Sequence, residues 1–453
     1  MSMYLFIHRK DLRTNDLRLF DVLRSANMQG LHTVILDPRL IDGRLTIHSC
    51  RNFLLQVIRL VALYRQQNRK LYLLYGDPAE VVSAIADVHP LRLTAVHADY
   101  TPYALKRDAR MRHAAETAGV VWLSEDDRPL ADLADFQAFT ERDGPYKVFT
   151  PFYRKWNSYM RQFFRPSTEV SLTDLPESAE LDRTVTERFA LPPLVIDALQ
   201  SLREEAESSL SAPEAQLERF VTSGALAAYS SRRDSYADID STSGLSRFLN
   251  TGALSARQIY QAAVGEEGSE SWLRQLAWRD FYLYQAVYHE DFFRYEQLYD
   301  LGQLSDRYFE VWASARTGIP IIDAAMTQLR ETGELPNRLR MITAMFLTKN
   351  LLCPFPLGEQ YFRTHLADYD NTLNRGGWLW SSSLGYDPAP YFRVMNPVTQ
   401  SINHDPEGHY IRQWLPELSH LSSRDLHAPR PEAIVDLKAS RARAIEVYRT
   451  IVR

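Results

Sequence analysis

The sequence predicts two domains of different class: an N-terminal α/β domain with a doubly wound, parallel, Rossmann-like sheet, and an all-α C-terminal domain. Two observations carry this prediction. In the first third of the chain, short apolar runs alternate with helical patterns, as they do in parallel sheets. After about residue 194 the apolar spacing is mostly helical, and strand alternation ends. The length of 453 residues is sufficient for two large domains.

Five short apolar runs in the first third are predicted to be buried strands. They are Tyr4–His8, Thr33–Leu36, Leu71–Tyr75, Leu93–His97 and Val120–Leu123. The predicted helices begin near Leu17 or cover Ile47–Gln67, Pro78–Val88 and Leu105–Ala118. The first strand-to-helix turn lacks the G-x-G-x-x-G of dinucleotide sites. A ligand of this domain would therefore bind at the carboxyl edge of the sheet by another route, and a purely structural or docking role is equally open.

The predicted domain boundaries follow changes in composition. Residues 1–130 form the α/β domain, 131–200 an interdomain linker, and 201–453 the helical domain. The segment from Pro166 to Pro193 is polar, acidic and punctuated by prolines. Because it shows no sustained period, it is predicted to lie over the surface.

Composition excludes several classes of protein. The net charge is −5, so a nucleic-acid contact must come from a local patch, and residues 337–393 hold six basic and four acidic residues. Two distant cysteines and 12 histidines without ligand spacing predict neither a disulfide framework nor a metal site. The chain has no signal-sequence pattern and no apolar run near the ~20 residues of a membrane span, so we expect a cytoplasmic protein without membrane contact.

The densest candidate site lies between Leu335 and Gln400. An arginine fork such as that of Arg340 suits a carboxylate like Asp368 or a ring carbonyl. Asp370 can accept hydrogen bonds from a sugar or a ring amine, and Asn374 can face a ring nitrogen in either protonation state. These residue types suit a large planar ligand beside an anionic polymer. An ordinary solvated helix face would carry similar charges, so each interpretation is weak alone.

Two further stretches are candidates. Tyr229 and the turn Thr242-Ser243-Gly244-Leu245-Ser246 offer hydroxyls and backbone N–H groups that can bind phosphate, although a plain helix cap has the same pattern. Trp278 lies in an aromatic-rich helical pattern that reaches Tyr299. Most of these rings are expected to be core, because aromatic side chains bury the largest area.

The chain resembles the DNA photolyase and cryptochrome family, most closely the cyclobutane-dimer photolyases of the microbial class I branch. The motifs that carry the resemblance are Thr317–Met326, Asn337–Ala344, Asn374–Trp380, Tyr391–Pro397, Ile411–Pro416, Phe6–Asn15 and Tyr146–Phe152. It implies an antenna domain followed by a helical domain that holds FAD. The implied FAD contacts are Tyr229, Thr242, Ser243, Gly244, Leu245, Ser246, Arg340, Asp368, Tyr369, Asp370 and Asn374.

The resemblance also implies light-driven repair of cyclobutane pyrimidine dimers in DNA, by electron transfer from reduced, photoexcited FAD to a flipped-out lesion. The implied catalytic residues are Gln275, Trp278, Asn337, Met341, Asn374 and Trp380. The residues expected to contact DNA are Trp278, Asn337, Arg338, Trp380, Arg393 and Gln400. Trp378 matches the electron-transfer tryptophan nearest the flavin, and no metal is implied.

Four positions depart from the family pattern. Gln275 stands where dimer-repairing photolyases carry Glu, so slower repair is expected. Phe355 stands where the middle tryptophan of the electron chain is expected, and the expected outer position falls near Gly302. Photoreduction by this route should fail unless tyrosines or other tryptophans, such as Trp312 or Trp380, substitute. Tyr103-Ala104 replaces a folate-binding Asn-Glu pair. Pro336-Asn337 replaces the His pair of (6-4) photolyases, which argues against (6-4) repair.

These departures leave alternatives open. A deazaflavin or a second flavin is favoured over folate as antenna chromophore, and an empty antenna site is also open. The alternative function is a cryptochrome-like blue-light photoreceptor with weak or no repair activity. An unrelated flavin oxidoreductase is a distant third. The expected partner is damaged DNA, and the expected oligomeric state is a monomer.

Overall fold

A computed structural model describes residues 2–452, without the side chain of Ile239. Met1 and Arg453 lie outside this description. The chain divides into two compact units. The first contains Met1–Glu141, Trp156–Ser223 and Gly244–Glu266, and the second contains Arg142–Lys155, Gly224–Ser243 and Glu267–Arg453.

The first unit is built on a five-stranded parallel sheet. Its strands are β1 (Met3–His8), β2 (Gln29–Leu36), β3 (Tyr72–Tyr75), β4 (Leu91–His97) and β5 (Val121–Glu125), in the order β3-β2-β1-β4-β5. All five predicted strands and the doubly wound topology are confirmed. β2 begins four residues before the predicted Thr33, since Gln29 and Gly30 also pair with β1. Both are weak strand formers, so the sequence did not indicate a strand there.

The helices of the N-terminal part follow the strand order. They are α1 (Arg18–Leu23), α2 (Pro38–Ile41), α3 (His48–Gln66), α4 (Pro78–Val88), α5 (Pro102–Thr117), α6 (Leu133–Thr140), α7 (Phe149–Phe163), α8 (Arg183–Arg188), α9 (Pro193–Ser201), α10 (Arg203–Ser208), α11 (Ala212–Thr222), α12 (Ala225–Arg232), α13 (Ser246–Thr251) and α14 (Ala256–Ala263). Short 3-10 turns cover Leu172–Asp174 and Ile239–Ser241.

The remainder of the chain is helical, as predicted. Its helices are α15 (Ser269–Tyr288), α16 (Phe309–Ala313), α17 (Pro320–Thr332), α18 (Asn337–Met345), α19 (Phe355–His365), α20 (Asn371–Ser381), α21 (Pro397–His404), α22 (His409–Trp414), α23 (Ser423–His427) and α24 (Leu437–Ile451). Phe292–Leu298 and Pro416–Leu418 are 3-10 turns, and Phe346–Asn350 is a π-helical turn.

The core of the first unit lies on both faces of its sheet. Tyr4 and Phe6 of β1 pack on one face, and Leu5 and Ile7 pack on the other. A strand that is buried on both faces has a continuous apolar sequence, which is why the run at Tyr4–His8 was easy to identify.

The segment predicted as a linker contributes to this core. Val170, Leu172 and Leu199 are buried in the cluster on one face, and Leu181 and Phe189 are buried on the other. Residues 131–200 therefore contain helices and core side chains of the first unit, and the observed division of the chain falls at other places than the predicted boundaries. The polar, proline-rich composition concealed apolar residues that lie too far apart to show a period.

In the second unit, α20 lies among three other helices. It packs against α15, α18 and α19. This arrangement brings the candidate residues near Asn337, Asp368 and Asn374 into one region. Between residues 2 and 452, no helix is long and apolar enough to cross a membrane.

Candidate functional site

The candidate site of the second unit begins with the helix cap of α20. Oδ1 of Asp370 accepts hydrogen bonds from the backbone N–H groups of Thr372 and Leu373, at 2.9 and 3.1 Å. An aspartate at this position satisfies N–H groups that have no partner within the helix. Asp370 is therefore a structural residue as well as a predicted cofactor contact, and the cap fixes the start of the helix that carries Asn374.

Arg340 and Asp368 form the ion pair that the sequence predicted. Nη2 of Arg340 lies 3.0 Å from Oδ1 and 2.9 Å from Oδ2 of Asp368. Nε of the same guanidinium donates to the carbonyl of Leu335 at 2.7 Å. The Arg340 side chain is 28% exposed and that of Asp368 is 11% exposed, so the pair retains an open edge. Such an edge can contact a ring carbonyl or a ring N–H group.

Asn374 is fixed by α19. Its Nδ2 donates to the carbonyl of Glu359 at 3.1 Å. The side chain is half-buried, and its Oδ1 meets no hydrogen-bond donor among residues 2–452. This geometry gives the site an oriented amide oxygen that can accept from a protonated ring nitrogen.

Glu359 and Arg375 support this part of the site, and their roles were not predicted from the sequence. Nη1 of Arg375 donates to Glu359 at 2.7 Å, Nη2 donates to Glu296, and Nε donates to the carbonyl of Phe292 at 3.2 Å. Burial raises the pKa of Glu359 above its ordinary value, against the opposing effect of Arg375. The partners are up to 83 residues apart, so spacing in the sequence could not reveal the cluster.

The two glycines of the Gly376-Gly377 pair have different surroundings. A Cβ on Gly376 would lie 2.2 Å from the ring of Tyr282, so the close approach there is made by a protein side chain. A Cβ on Gly377 would meet nothing within 4 Å, and this glycine is exposed. Only Gly377 remains as a position where a ligand can approach the backbone.

Trp278 is a half-buried residue of α15 that stacks on Phe149. The ring centroids are 3.6 Å apart, and the planes differ by 7°. The guanidinium of Arg274 lies over Phe149 and Tyr153, at 5.4 and 5.1 Å from their centroids. Gln275, one turn before Trp278, donates from Nε2 to the carbonyl of Ser271 at 3.0 Å. Stacking fixes one face of the indole.

Asn337 begins α18, and Met341 lies one turn later. Nδ2 of Asn337 is 3.5 Å from the sulfur of Met341. Asn337 is exposed, and Met341 and Trp380 are half-buried. All three side chains are therefore accessible, although many residues next to them in the sequence are buried. An amide, a thioether and an indole suit a planar, polar-edged ligand.

The residues predicted to hold a DNA strand differ in their surroundings. Nη2 of Arg338 donates to Asp234 at 2.6 Å, and this bond raises the pKa of Arg338. Its charge is therefore partly neutralised. Arg393 is exposed and has no ionic partner among the described residues, which suits a phosphate contact. Gln400 is half-buried, and its backbone carbonyl accepts a hydrogen bond from the Tyr236 hydroxyl at 3.3 Å.

The predicted phosphate-binding residues fall in both units. In the second unit, Tyr229 is buried beneath the guanidinium of Arg233, and burial raises its pKa; Thr242 and Ser243 follow a 3-10 turn and are half-buried. In the first unit, Gly244 has a φ of +63°, Leu245 is a core residue, and exposed Ser246 begins α13. Any ligand contact by Leu245 is therefore limited to its backbone. Tyr369 is half-buried and donates to Asn371 at 2.8 Å.

Trp378 is buried between α19 and other aromatic rings. Its centroid lies 5.0 Å from Phe362 and 6.3 Å from Trp312. Its indole N–H is buried without a partner among the described residues. Gly358 makes room for this ring, because a Cβ there would lie 2.1 Å from Cη2 of Trp378. The only signal of Gly358 in the sequence is a glycine inside a helical pattern, so its role could not be predicted.

In the first unit, Tyr103 and Ala104 occupy the position of the expected folate pair. Tyr103 donates from its hydroxyl to Asp37, and Ala104 is buried. Within the range 2–452, no group of three His, Cys, Asp or Glu side chains has the arrangement of a metal site.

These residues fit FAD. The Arg340–Asp368 pair and the Asn374 oxygen offer groups of the kind that an isoalloxazine edge requires. Thr372 and Trp378, both on α20, each carry a buried polar atom without a protein partner. Unsatisfied buried groups on the helix that carries Asn374 are consistent with a polar ligand.

Two family models match the chain. The model of the FAD binding domain of DNA photolyase matches residues 272–450, and the model of DNA photolyase matches residues 4–173. The deoxyribodipyrimidine photo-lyase of Synechococcus sp. is 34% identical over 448 residues, which covers 93% of this chain and 89% of the relative.

Solved structures of a photolyase and a cryptochrome are similar to this chain over nearly its whole length. An archaeal photolyase from Sulfolobus tokodaii with two FAD molecules is 27% identical, covers 100% of both chains and has a TM-score of 0.80. A Synechocystis sp. cryptochrome, at 24% identity and 99% coverage of both chains, shares the fold with a TM-score of 0.83. The resemblance carried by the motifs is confirmed: the chain belongs to the DNA photolyase family.

Proposed function

We propose that this protein repairs cyclobutane pyrimidine dimers in DNA with light, by electron transfer from reduced FAD to a flipped-out dimer. One observation carries the proposal. The Arg340–Asp368 pair and the oriented Asn374 amide belong to the same unit as an accessible set of lesion-side residues, Trp278 and Asn337 among them. The photo-lyase relatives, which cover nearly the whole chain, support this assignment.

The chain's own residues would position the cofactor. Arg340 and Asp368 would contact the ring edge, and Asn374 would accept from a ring nitrogen through its Oδ1. Tyr229, Thr242 and Ser243 would contact the phosphates and the ribityl chain. Tyr369 and Asp370 would contact the adenosine side. Bound, reduced FAD supplies the photoexcited electron that splits the cyclobutane ring and then returns.

The lesion-side residues would receive the flipped dimer. Phe149 stacks on one face of the Trp278 indole. The part of the ring that stays accessible can contact thymine. Asn337, Met341 and Trp380 would line the same pocket. Flipping requires least free energy for a damaged pair, which gives one source of lesion preference.

Gln275 would act as a neutral hydrogen-bonding group. Its Nε2 is held by the Ser271 carbonyl. The amide oxygen can accept from a thymine N–H, but an amide cannot stabilise positive charge as a carboxylate does. We therefore expect repair that is slower than that of the Gln275→Glu variant.

DNA phosphates would be contacted chiefly by Arg393, with Gln400 and the paired Arg338 in support. Because these contacts are electrostatic, affinity should fall as the salt concentration rises, with a slope set by the few phosphates that are neutralised. Arg393→Ala should weaken binding to damaged and undamaged strands alike, whereas Trp278→Ala should lose mainly the preference for the dimer. An equal loss of preference in both variants would refute this division.

The decisive experiment uses holoprotein that has been reduced chemically. A short single-stranded oligonucleotide with one thymine dimer is illuminated with blue light, and the return of thymine absorbance is followed. Recovery in light and none in the dark is the expected result. An intact dimer after illumination of FAD-loaded, reduced protein would refute the proposal, and the Gln275→Glu variant would then show whether residue 275 is responsible.

The alternative is a blue-light photoreceptor with weak repair. It is favoured by Gln275 and by Phe355 at the expected middle position of the electron chain. It predicts partner binding or oligomerisation that changes with light. Identical elution profiles in dark and light would count against it.

Finer features are also proposals. A second chromophore, a deazaflavin or flavin rather than folate, suits a domain in which Tyr103 replaces a folate-binding residue, and the Sulfolobus tokodaii relative carries two FAD molecules. Extraction of chromophores from purified protein tests this. We propose a monomer in the cytoplasm, where two buried, unlinked cysteines would stay reduced. Light scattering tests the monomer.

A further inference from the structure

The electron chain that the family resemblance implies is interrupted in this protein. Phe355 stands at its middle position, and its outer position falls near Gly302. Phe355 makes no ring contact with Trp378 among the described residues; it lies instead beneath the guanidinium of Arg375, at 5.1 Å. A phenyl ring is far harder to oxidise than an indole, and no tryptophan lies between residues 279 and 311. An electron must therefore reach Trp378 by another path.

The ring contacts of Trp378 define such a path. Its indole meets Trp312 at a centroid distance of 6.3 Å and an angle of 76°. Phe362 packs beside both indoles, 5.0 Å from Trp378 and 6.3 Å from Trp312. Trp312 is fully buried, and its N–H donates to the carbonyl of Thr343 at 3.2 Å. A hydrogen-bonded indole N–H stabilises the positive charge that oxidation creates.

The next ring is that of Tyr361, which is half-buried. Its centroid lies 5.4 Å from that of Trp312, and its hydroxyl donates to the carbonyl of Ala313 at 2.9 Å. His365 stacks on its other side at 3.9 Å and 15°. Trp312 thus connects buried Trp378 to a phenol that is partly accessible to solvent.

We propose that Trp312 and Tyr361 form the electron path that reduces the flavin of this protein in light. The inference rests on the proposed placement of FAD beside Trp378. Trp378 would give one electron to bound, oxidised FAD, which would supply the oxidising power when excited by light. Oxidised Trp378 then takes one electron from Trp312, and oxidised Trp312 takes one electron from Tyr361. Tyr361 loses its phenolic proton to water, and a small-molecule thiol later returns a hydrogen atom to the tyrosyl radical.

This path explains why an interrupted chain need not abolish photoreduction. When the positive charge has moved over three rings, its recombination with the electron on the flavin is slower. Loss of the phenolic proton then keeps the oxidised state at Tyr361. Trp312 and Tyr361 are electron carriers for cofactor activation, and they take no part in splitting the dimer.

The test compares bleaching of oxidised FAD under blue light, with thiol present, in the holoprotein and its variants. We expect Trp312→Phe to bleach about tenfold more slowly or worse. Tyr361→Phe, which retains the ring, should form reduced flavin that reverts after the light is removed. Trp156→Phe makes the same change at another buried indole and should bleach like the unaltered protein.

A second readout identifies the carrier. Electron paramagnetic resonance after freezing under light should show a tyrosyl signal that narrows when tyrosines are ring-deuterated and is absent in Tyr361→Phe. Bleaching of Trp312→Phe at the unaltered rate, or an unchanged radical in Tyr361→Phe, would overturn the path. If Trp312→Phe holds no FAD, the Tyr361→Phe result decides alone.

Failure of the path is distinguishable from failure of the proposed function. Chemically reduced Tyr361→Phe should split dimers at the unaltered rate, because repair starts from flavin that is already reduced. Unaltered holoprotein that never bleaches refutes the path, and dimer repair by its chemically reduced form would still stand.

Discussion

The guanidinium of Arg340 connects two parts of the second unit, since Nη2 binds both carboxylate oxygens of Asp368 while Nε binds the carbonyl of Leu335. One side chain thus fixes the residues before α18 to the segment before α20. A planar fork can make these contacts at once, and a lysine cannot.

Replacement of Arg340 should therefore weaken cofactor binding. A hydrogen bond that involves a charged group contributes about 1.5–3 kcal/mol, so Arg340→Ala should raise the dissociation constant for FAD about 10- to 100-fold. Fluorescence titration of apoprotein with FAD measures this. Arg424→Ala, at an exposed arginine of α23, is the control and should leave affinity unchanged. Equal affinities in the two variants would contradict the assignment of Arg340.

Gly358 should be required for the position of Trp378. A Cβ at Gly358 would lie 2.1 Å from the indole and 2.6 Å from Leu347, so the tryptophan must move in Gly358→Ala. We expect a loss of about 1–3 kcal/mol in the free energy of unfolding, from overpacking. Gly377→Ala is the matched control on α20, where a Cβ meets nothing, and alanine should stabilise the apoprotein by up to about 1 kcal/mol. Urea denaturation of both apoproteins tests the difference in sign.

The sequence predicted the sheet well because its strands are buried on both faces. A continuous apolar run such as Tyr4–His8 identifies a strand without a long-range contact. The helix Pro78–Val88 was predicted at its observed bounds, because Asp77 caps it and Pro78 occupies its first turn. Local signals were sufficient in both cases.

The site was predictable only as a set of residue types. Arg340 and Asp368 could be paired because their chemistry is complementary, and the structure confirms the pair. The contacts of Gly376 with Tyr282 and of Asn374 with Glu359 depend on how α20 packs, which no local pattern encodes. Arg338 was predicted to face phosphate, but Asp234, 104 residues away, takes part of its hydrogen-bonding capacity.

The first unit depends on a buried group of four charges. Asp127 accepts from Arg13 at 2.7 Å and from Arg257 at 2.6 Å, and Arg257 also contacts Asp16 at 3.1 Å. Burial acts to raise the pKa of Asp127, but the charges of Arg13 and Arg257 outweigh it and hold the pKa well below its usual value. Asp127 therefore stabilises the fold above the pKa of an unfolded aspartate, and this contribution is lost as the pH falls through the lower folded pKa.

Asp127→Asn should leave two buried guanidinium groups without sufficient negative charge. We expect the free energy of unfolding to fall by about 3–5 kcal/mol at neutral pH. Denaturant unfolding followed by circular dichroism measures the change. Glu187→Gln breaks the exposed ion pair with Arg183 and should have no measurable effect. Similar losses in the two variants would mean that burial does not set the strength of the Asp127 interactions.

Lys349, in the π-helical turn Phe346–Asn350, should make stability depend on alkaline pH. Its Nζ donates to Oγ of Ser383 at 2.8 Å and lies 3.2 Å from the ring centroid of Tyr448, and among residues 2–452 it has no carboxylate partner. The ring face favours the ammonium form, but burial outweighs it and lowers the pKa of Lys349 to about 6. An unfolded lysine has a pKa of about 10.4, so between these values unfolding takes up one proton. The free energy of unfolding should then rise with pH across that window, by up to about 1.4 kcal/mol per pH unit from this group.

Lys349→Met removes this dependence. The loss of the Ser383 hydrogen bond changes stability equally at every pH, so it cancels when two pH values are compared. The stability of Lys349→Met relative to the unaltered protein should therefore be about 2.7 kcal/mol more favourable at pH 7 than at pH 9. Lys438→Met, at an exposed lysine of α24, should show the same relative stability at both values. A pH-independent difference for Lys349→Met would show that the buried amine keeps its proton in the folded protein.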